Sequence, residues 1–110
     1  SLRAGLWTDP ASTAILAAVE AAIADLPDLV TGQRKGYTAW SRKSQFAAAK
    51  PLRGGGVTLG LALPPDTAPR LAAPRNEGWS ERLTAKLVLS SVREIDDAVQ
   101  ALLRAAWERS

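Results

Sequence analysis

The chain has 110 residues, of which 46% are hydrophobic and 23% charged, with a net charge of +3. That is the size and composition of one globular domain, long enough for a core without covalent staples. Cysteine, histidine and methionine are absent. Their absence excludes disulfides, cysteine nucleophiles and Ser–His pairs, along with the usual ligands of zinc, haem, copper and iron–sulfur centres.

A carboxylate-only magnesium or calcium site stays open, but no calcium-loop spacing occurs, so no metal site and no cofactor is expected. Acid–base chemistry would fall to Asp, Glu, Lys or Tyr37. No catalytic motif is present, which weighs against an enzyme. No apolar run nears the roughly 20 residues of a membrane span, and Asp9 and Pro10 interrupt the start. A cytoplasmic protein is expected, without membrane contact.

Residues 1–8 read as an N-terminal arm whose Leu2, Leu6 and Trp7 pack on the body. Asp9 can cap the helix that Pro10 opens. Ile15, Leu16, Val19, Ala22, Ile23 and Leu26 recur at helical spacing, and Pro27 stops the run. A short strand fits Leu29–Gln33. Tyr37–Ser41 reads as a strand, with Tyr37, Ala39 and Ser41 on one face and Thr38, Trp40 and Arg42 on the other. Arg42-Lys43-Ser44 is a turn, and Gln45–Leu52 returns as the next strand.

Gly54-Gly55-Gly56 supplies the positive φ of a tight hairpin. Val57–Leu63 then alternates, with Val57, Leu59, Leu61 and Leu63 inward. Gly60 falls on the outer face, where glycine allows a close approach. Residues 64–81 form a long loop with four prolines. Arg82–Leu89 alternates again, with Arg82, Thr84 and Lys86 outward. Ser91-Val-Arg-Glu94 has the form of a capping box opening a final helix, with Asp96 and Asp97 near its positive end. Val92, Ile95, Val99, Leu102, Leu103 and Ala106 make its core stripe, and Trp107 anchors its end. The expected fold is α+β: one domain over residues 1–110, a two-layer sandwich of order α-β-β-β-β-α. Its antiparallel sheet has four to five strands flanked by an N-terminal and a C-terminal helix.

Charge is distributed unevenly. Residues 29–65 hold six basic side chains (Arg34, Lys35, Arg42, Lys43, Lys50 and Arg53) and no acidic one. With Tyr37 and Trp40 near them, they point to a non-catalytic module binding an anionic ligand, a nucleic acid or an acidic protein on the outer sheet face. Arg75, Asn76 and Trp79 of the long loop would join Tyr37, Trp40, Arg42, Lys43, Lys50 and Arg53 in that site. The plainer reading of the same residues is a solvated face. Two alternatives stand beside binding on that face. One is a small-ligand or enzyme pocket between loop and sheet, using Tyr37, Lys50, Arg75, Asn76 or Glu77. The other is a protein–protein interaction or homodimerisation domain.

The stretches GYTAWSRKSQFAAAKPLRGGGVTLGLAL, NEGWSERLTAKLVLSS and EIDDAVQALLRAAW together resemble a bacterial family of unknown function, DUF5655, from about Ala14 to Glu108. The resemblance implies a small bacterial α+β domain, cytoplasmic, occurring alone or after a second uncharacterised domain, DUF4287. It carries over no catalytic residue. The helix–sheet–helix order is also similar to the frataxin-like sandwich. Iron binding there depends on an acidic ridge, to which this first helix would bring only Glu20 and Asp25, with Asp28 nearby.

Overall fold

The computed structural model describes residues 1–110. Its elements are α1 (Leu2–Leu6), α2 (Pro10–Ile23), β1 (Val30–Gln33), β2 (Thr38–Ser41), β3 (Gln45–Pro51), β4 (Val57–Leu61), β5 (Ala85–Leu89) and α3 (Asp97–Glu108). The five strands form one antiparallel sheet in the order β1-β2-β3-β4-β5. Helices α2 and α3 lie together on one face, which makes the α+β sandwich. No helix is long and apolar enough to cross a membrane.

The inner face follows from alternation. Register pairs Trp40 with Ala47, Ala49 with Leu59, and Leu59 with Leu87, so these side chains share one side. They join Val57, Leu61 and Leu89 in the main core with Ile15, Leu16, Val19 and Ile23 of α2 and Val99, Leu102, Leu103 and Ala106 of α3. A bulge sharpens this packing. Ser41 pairs with Gln45 but Trp40 with Ala47, which leaves Phe46 as the extra residue. Both Phe46 and Ala47 are then fully buried, as expected where a bulge breaks the period of two.

Residues 1–8 are more ordered than an arm. They form the short helix α1, with Arg3 ion-paired to Glu20 of α2. Trp7 is buried, and its indole N–H donates to Thr38 Oγ1 at 2.9 Å. Asp9 caps α2 by accepting from the Ala11 amide at 2.8 Å, with Pro10 in the first turn. Ser12 is completely buried and donates to the carbonyl of Gly56 at 2.9 Å. That bond fixes α2 to the β3–β4 hairpin, whose Gly54 and Gly55 take φ of 98° and 107°.

The last helix starts later than its sequence suggests. Val92–Glu94 is a single 3₁₀ turn, and Ser91 makes no capping bond. Asp96 is the cap instead, accepting from the Val99 amide at 2.9 Å. The Glu94 carboxylate does reach back, but to the amide of Ser90. The physical reason is Ile95, which is buried in the core with φ −84° and ψ 66°, outside the helical region. Burying that side chain breaks the run before α3 can begin.

Ser12→Ala should cost about 1–2 kcal/mol, because the buried Gly56 carbonyl loses its donor. Ser91→Ala should stay within about 0.5 kcal/mol of the parent. Urea unfolding of both variants checks the contrast, and equal costs would contradict this account of the two serines.

Candidate functional site

The outer face of the sheet carries small residues at its centre. Ala39 of β2, Ala48 of β3 and Gly60 of β4 lie side by side in register. Lys50 of β3 and Lys86 of β5 flank β4 from either side, paired with Thr58 and Gly60 respectively. Ala39 and Ala48 pack with Leu83, Tyr37 and Trp79 into a second, smaller apolar cluster. The segment after Ala72 crosses over this cluster.

Two contacts fix the crossing. The first is steric: a Cβ built on Gly60 would sit 2.6 Å from Trp79 Cζ2, so only glycine lets the indole lie on the strand. Tyr37 meets the same indole edge-on, with ring centroids 6.4 Å apart. The second is ionic. Glu77 Oε1 lies 3.0 Å from Lys50 Nζ, and Glu77 Oε2 lies 2.7 Å from Lys86 Nζ. Lys50 also donates to the Glu77 carbonyl at 2.6 Å, and the Arg75 amide donates to Oε2 at 3.0 Å. Lys50 Nζ stands 4.9 Å from the Trp79 ring centroid, a cation–π distance.

The Glu77 side chain is only 11% exposed. The Lys86 ammonium, then the Arg75 amide and Lys50, hold its carboxyl down at about 2, against an ordinary value of 4.5; burial works the other way. Asn76 and Gly78 on either side of it both have positive φ, 50° and 86°. This tight path turns residues 77 and 79 toward the sheet together.

The expected site residues therefore separate into four groups. Tyr37, Lys50 and Trp79 meet around Glu77 on the outer face, while Arg75 and Asn76 belong to the same loop with exposed side chains. Arg42 and Lys43 lie at the opposite end of the sheet, in the β2–β3 turn. Arg53 is exposed at the β3–β4 hairpin. Trp40 is not at any surface: it is fully buried on the inner face, beneath the helices. Arg42, two residues along, lies on that same side, with its guanidinium carbon 4.3 Å from the Trp107 ring centroid. Both are corrections to an outer-face site, and both follow from the period of two.

The open groove beside the loop, about 520 Å³, is lined by Asn76, Glu77, Trp79 and neighbours up to Thr84, but not by Tyr37, Lys50 or Arg75. The five polar residues of a loop–sheet pocket therefore do not converge on it. No cluster of three or more carboxylates is placed to hold a metal ion. Asp25 and Asp28 are both exposed.

A basic concavity was missed from the sequence. Arg82, before β5, and Arg109, closing α3, line an open cavity of about 330 Å³ with Ser44, Thr84 and Ser110. No acidic side chain lines it. The chain's four ion pairs involve neither arginine. Arg42 and Lys43 immediately precede Ser44 in the adjoining turn. The alternation of Arg82, Thr84 and Lys86 was a partial signal, but it could not bring the end of α3 to the same place.

A family model described as Domain of unknown function (DUF5655) matches residues 5–110. No curated protein and no solved structure gives a match.

Gly60→Ala should displace Trp79, costing about 1–3 kcal/mol and shifting tryptophan emission to the red. Unchanged emission and stability would refute the contact. Glu77→Gln should cost about 1–3 kcal/mol at neutral pH. The folded carboxyl titrates near 2 and the unfolded one near 4.5. Its contribution is therefore present above about 4.5 and is lost as pH falls toward 2. Thermal unfolding from pH 2 to 7 should show that acid limb in the parent, and a shallower one in the variant.

Proposed function

The chain belongs to the DUF5655 family, and we propose that it is a non-catalytic binding module for an anionic ligand. The supporting observation is the cavity at one end of the sheet, which Arg82 and Arg109 both line and to which no Asp or Glu side chain contributes. Arginine suits this role because its planar fork of donors fits phosphate and carboxylate oxygens.

The site is thus not the flat outer face. There a single carboxylate, Glu77, already sits between Lys50 and Lys86 and offsets one of their two charges. The cations left without an ion pair include Arg82, Arg109 and Lys43, and these gather where the β2–β3 turn, the approach to β5 and the end of α3 adjoin. The nearest acidic residues in sequence, Glu81 and Glu108, are exposed and do not line the cavity. Ser44 adds a hydroxyl at the wall, while those of Thr84 and Ser110 already donate to the Leu63 and Trp107 carbonyls. An anion held by two arginines at an open site is screened by salt, so its affinity falls as ionic strength rises.

Calorimetric titration with pyrophosphate and with citrate, at low and moderate salt, tests this. Saturable binding is expected for at least one of them, weakening with salt. Arg82→Gln/Arg109→Gln should lose roughly 100-fold, at about 1.4 kcal/mol per tenfold and one tenfold per arginine. Lys50→Gln should bind as the parent does. If Arg109 only offsets the negative end of α3, the double variant loses stability and keeps its affinity, and the proposal fails. It fails equally if neither anion binds.

A further inference from the structure

The outer sheet face presents a different kind of site. Two ammonium groups on strands either side of β4 converge on one carboxylate, with Lys50 and Lys86 side chains only 23% and 25% exposed. Two like charges held this close on a half-buried surface need an anion between them. Beside them, Gly60 leaves a floor on which an indole rests directly. The surface therefore has a place for one carboxylate and, two residues on, a place for one aromatic ring.

The segment that fills both places is attached in the manner of a bound peptide. Ala72 exchanges two backbone hydrogen bonds with Lys86, and after it the backbone of residues 73–79 makes none to the sheet backbone. What holds Glu77 and Trp79 down is the lysine pair, one Lys50 bond to a carbonyl, and the ring on Gly60. The fit is also incomplete, since Trp79 Nε1 is buried without a hydrogen-bond partner in the chain. A buried donor in that state lowers the stability of the docked arrangement.

We infer that the outer face is a docking surface for a peptide bearing an acidic residue two positions before an aromatic one, and that Asn76–Trp79 occupies it in cis. Release of the segment would uncover Ala39, Ala48, Tyr37 and the lysine pair together. A segment tethered next to its own site acts at high effective concentration, so the parent chain binds an outside peptide weakly and the vacated chain binds it well. This site is separate from the Arg82–Arg109 cavity, and either can fail alone.

The test uses the full chain and a dye-labelled peptide with the sequence of residues 74–81, Pro-Arg-Asn-Glu-Gly-Trp-Ser-Glu, followed by fluorescence anisotropy. Glu77→Ala/Trp79→Ala vacates the site and should bind the peptide saturably, at least tenfold more tightly than the parent does. Adding Lys50→Gln to that variant, or replacing the peptide's first glutamate by glutamine, should each cost a further tenfold. Far-UV circular dichroism establishes that the variants are folded. Should the double variant not fold, Glu77→Gln alone, which keeps the shape of the segment, should bind at least tenfold more tightly than the parent. Absence of saturable binding to a folded vacated chain would overturn the inference. So would equal binding by parent and variant, or binding indifferent to Lys50 and to the peptide's glutamate. Those results would leave Glu77 as a clasp for its own loop.

Discussion

A sheet has two faces, and this chain has helices for only one of them. Every other feature answers that constraint. The inner face, covered by α2 and α3, is almost wholly apolar, from Trp40 through Leu59 to Leu89. The outer face has no layer to bury it, so large apolar side chains there would be a standing hazard for association. The chain instead places Ala39, Ala48, Thr58 and Gly60 at its centre and lysines on either side. A single loop then covers what remains. The smallness of these residues is what lets a loop, rather than a helix, close the second face.

The electrostatics follow from the same arrangement. Between Val30 and Leu61 the chain has no carboxylate, so the lysine of β3 cannot be matched by a neighbour in its own meander. The match comes from outside it, in Glu77, and the same carboxylate serves Lys86. One acidic side chain thereby neutralises one charge of a pair and holds the loop against the sheet. Arg3–Glu20 and Arg70–Asp96 do comparable work at the surface, where exposed pairs contribute little. The cations at the far end of the sheet have no such partner, and this gives that end its field. Unpaired cations stand at both ends of the sheet, Arg42 and Lys43 in the β2–β3 turn and Arg34, Lys35 and Arg53 in the turns opposite, and only the first end adjoins the arginine-lined cavity.

How much of this could be read from the sequence depends on the range of the forces involved. Alternation and turn chemistry act locally, so β2, β3, β4 and the glycine hairpin were legible, as were the α+β class and the capping of α2 by Asp9. Alternation says which residues share a face but not which face meets the helices. Trp40 was therefore assigned to an exposed site when it lies at the core. The start of α3 was displaced because burial of Ile95 outweighs a capping-box pattern at Ser91–Glu94. Glu77 lies 27 residues from Lys50 and nine from Lys86, and Arg109 lies far along the chain from Arg82. Nothing local ties Glu77 to Lys50, or Arg109 to Arg82. Gly60 was the one long-range clue visible in advance: a glycine at the centre of a strong strand implies that something large must come close.

The loop's own backbone shows that this close approach is built in. Asn76 at φ 50° and Gly78 at φ 86° bracket Glu77, in a conformation that most side chains resist. An extended chain would also send residues 77 and 79 to one side, but at a separation of about 6.6–6.8 Å along a straight path. The two left-handed residues curl the path instead, so that the carboxylate reaches Lys50 and Lys86 while the indole returns over Gly60 and under the Lys50 ammonium. Lys50 thus touches both the Glu77 carboxylate and the Trp79 ring face, 3.0 Å from the one and 4.9 Å from the centroid of the other. Because one cation serves both contacts, each reinforces the other, while Lys86 holds the carboxylate and Gly60 and Tyr37 hold the indole besides.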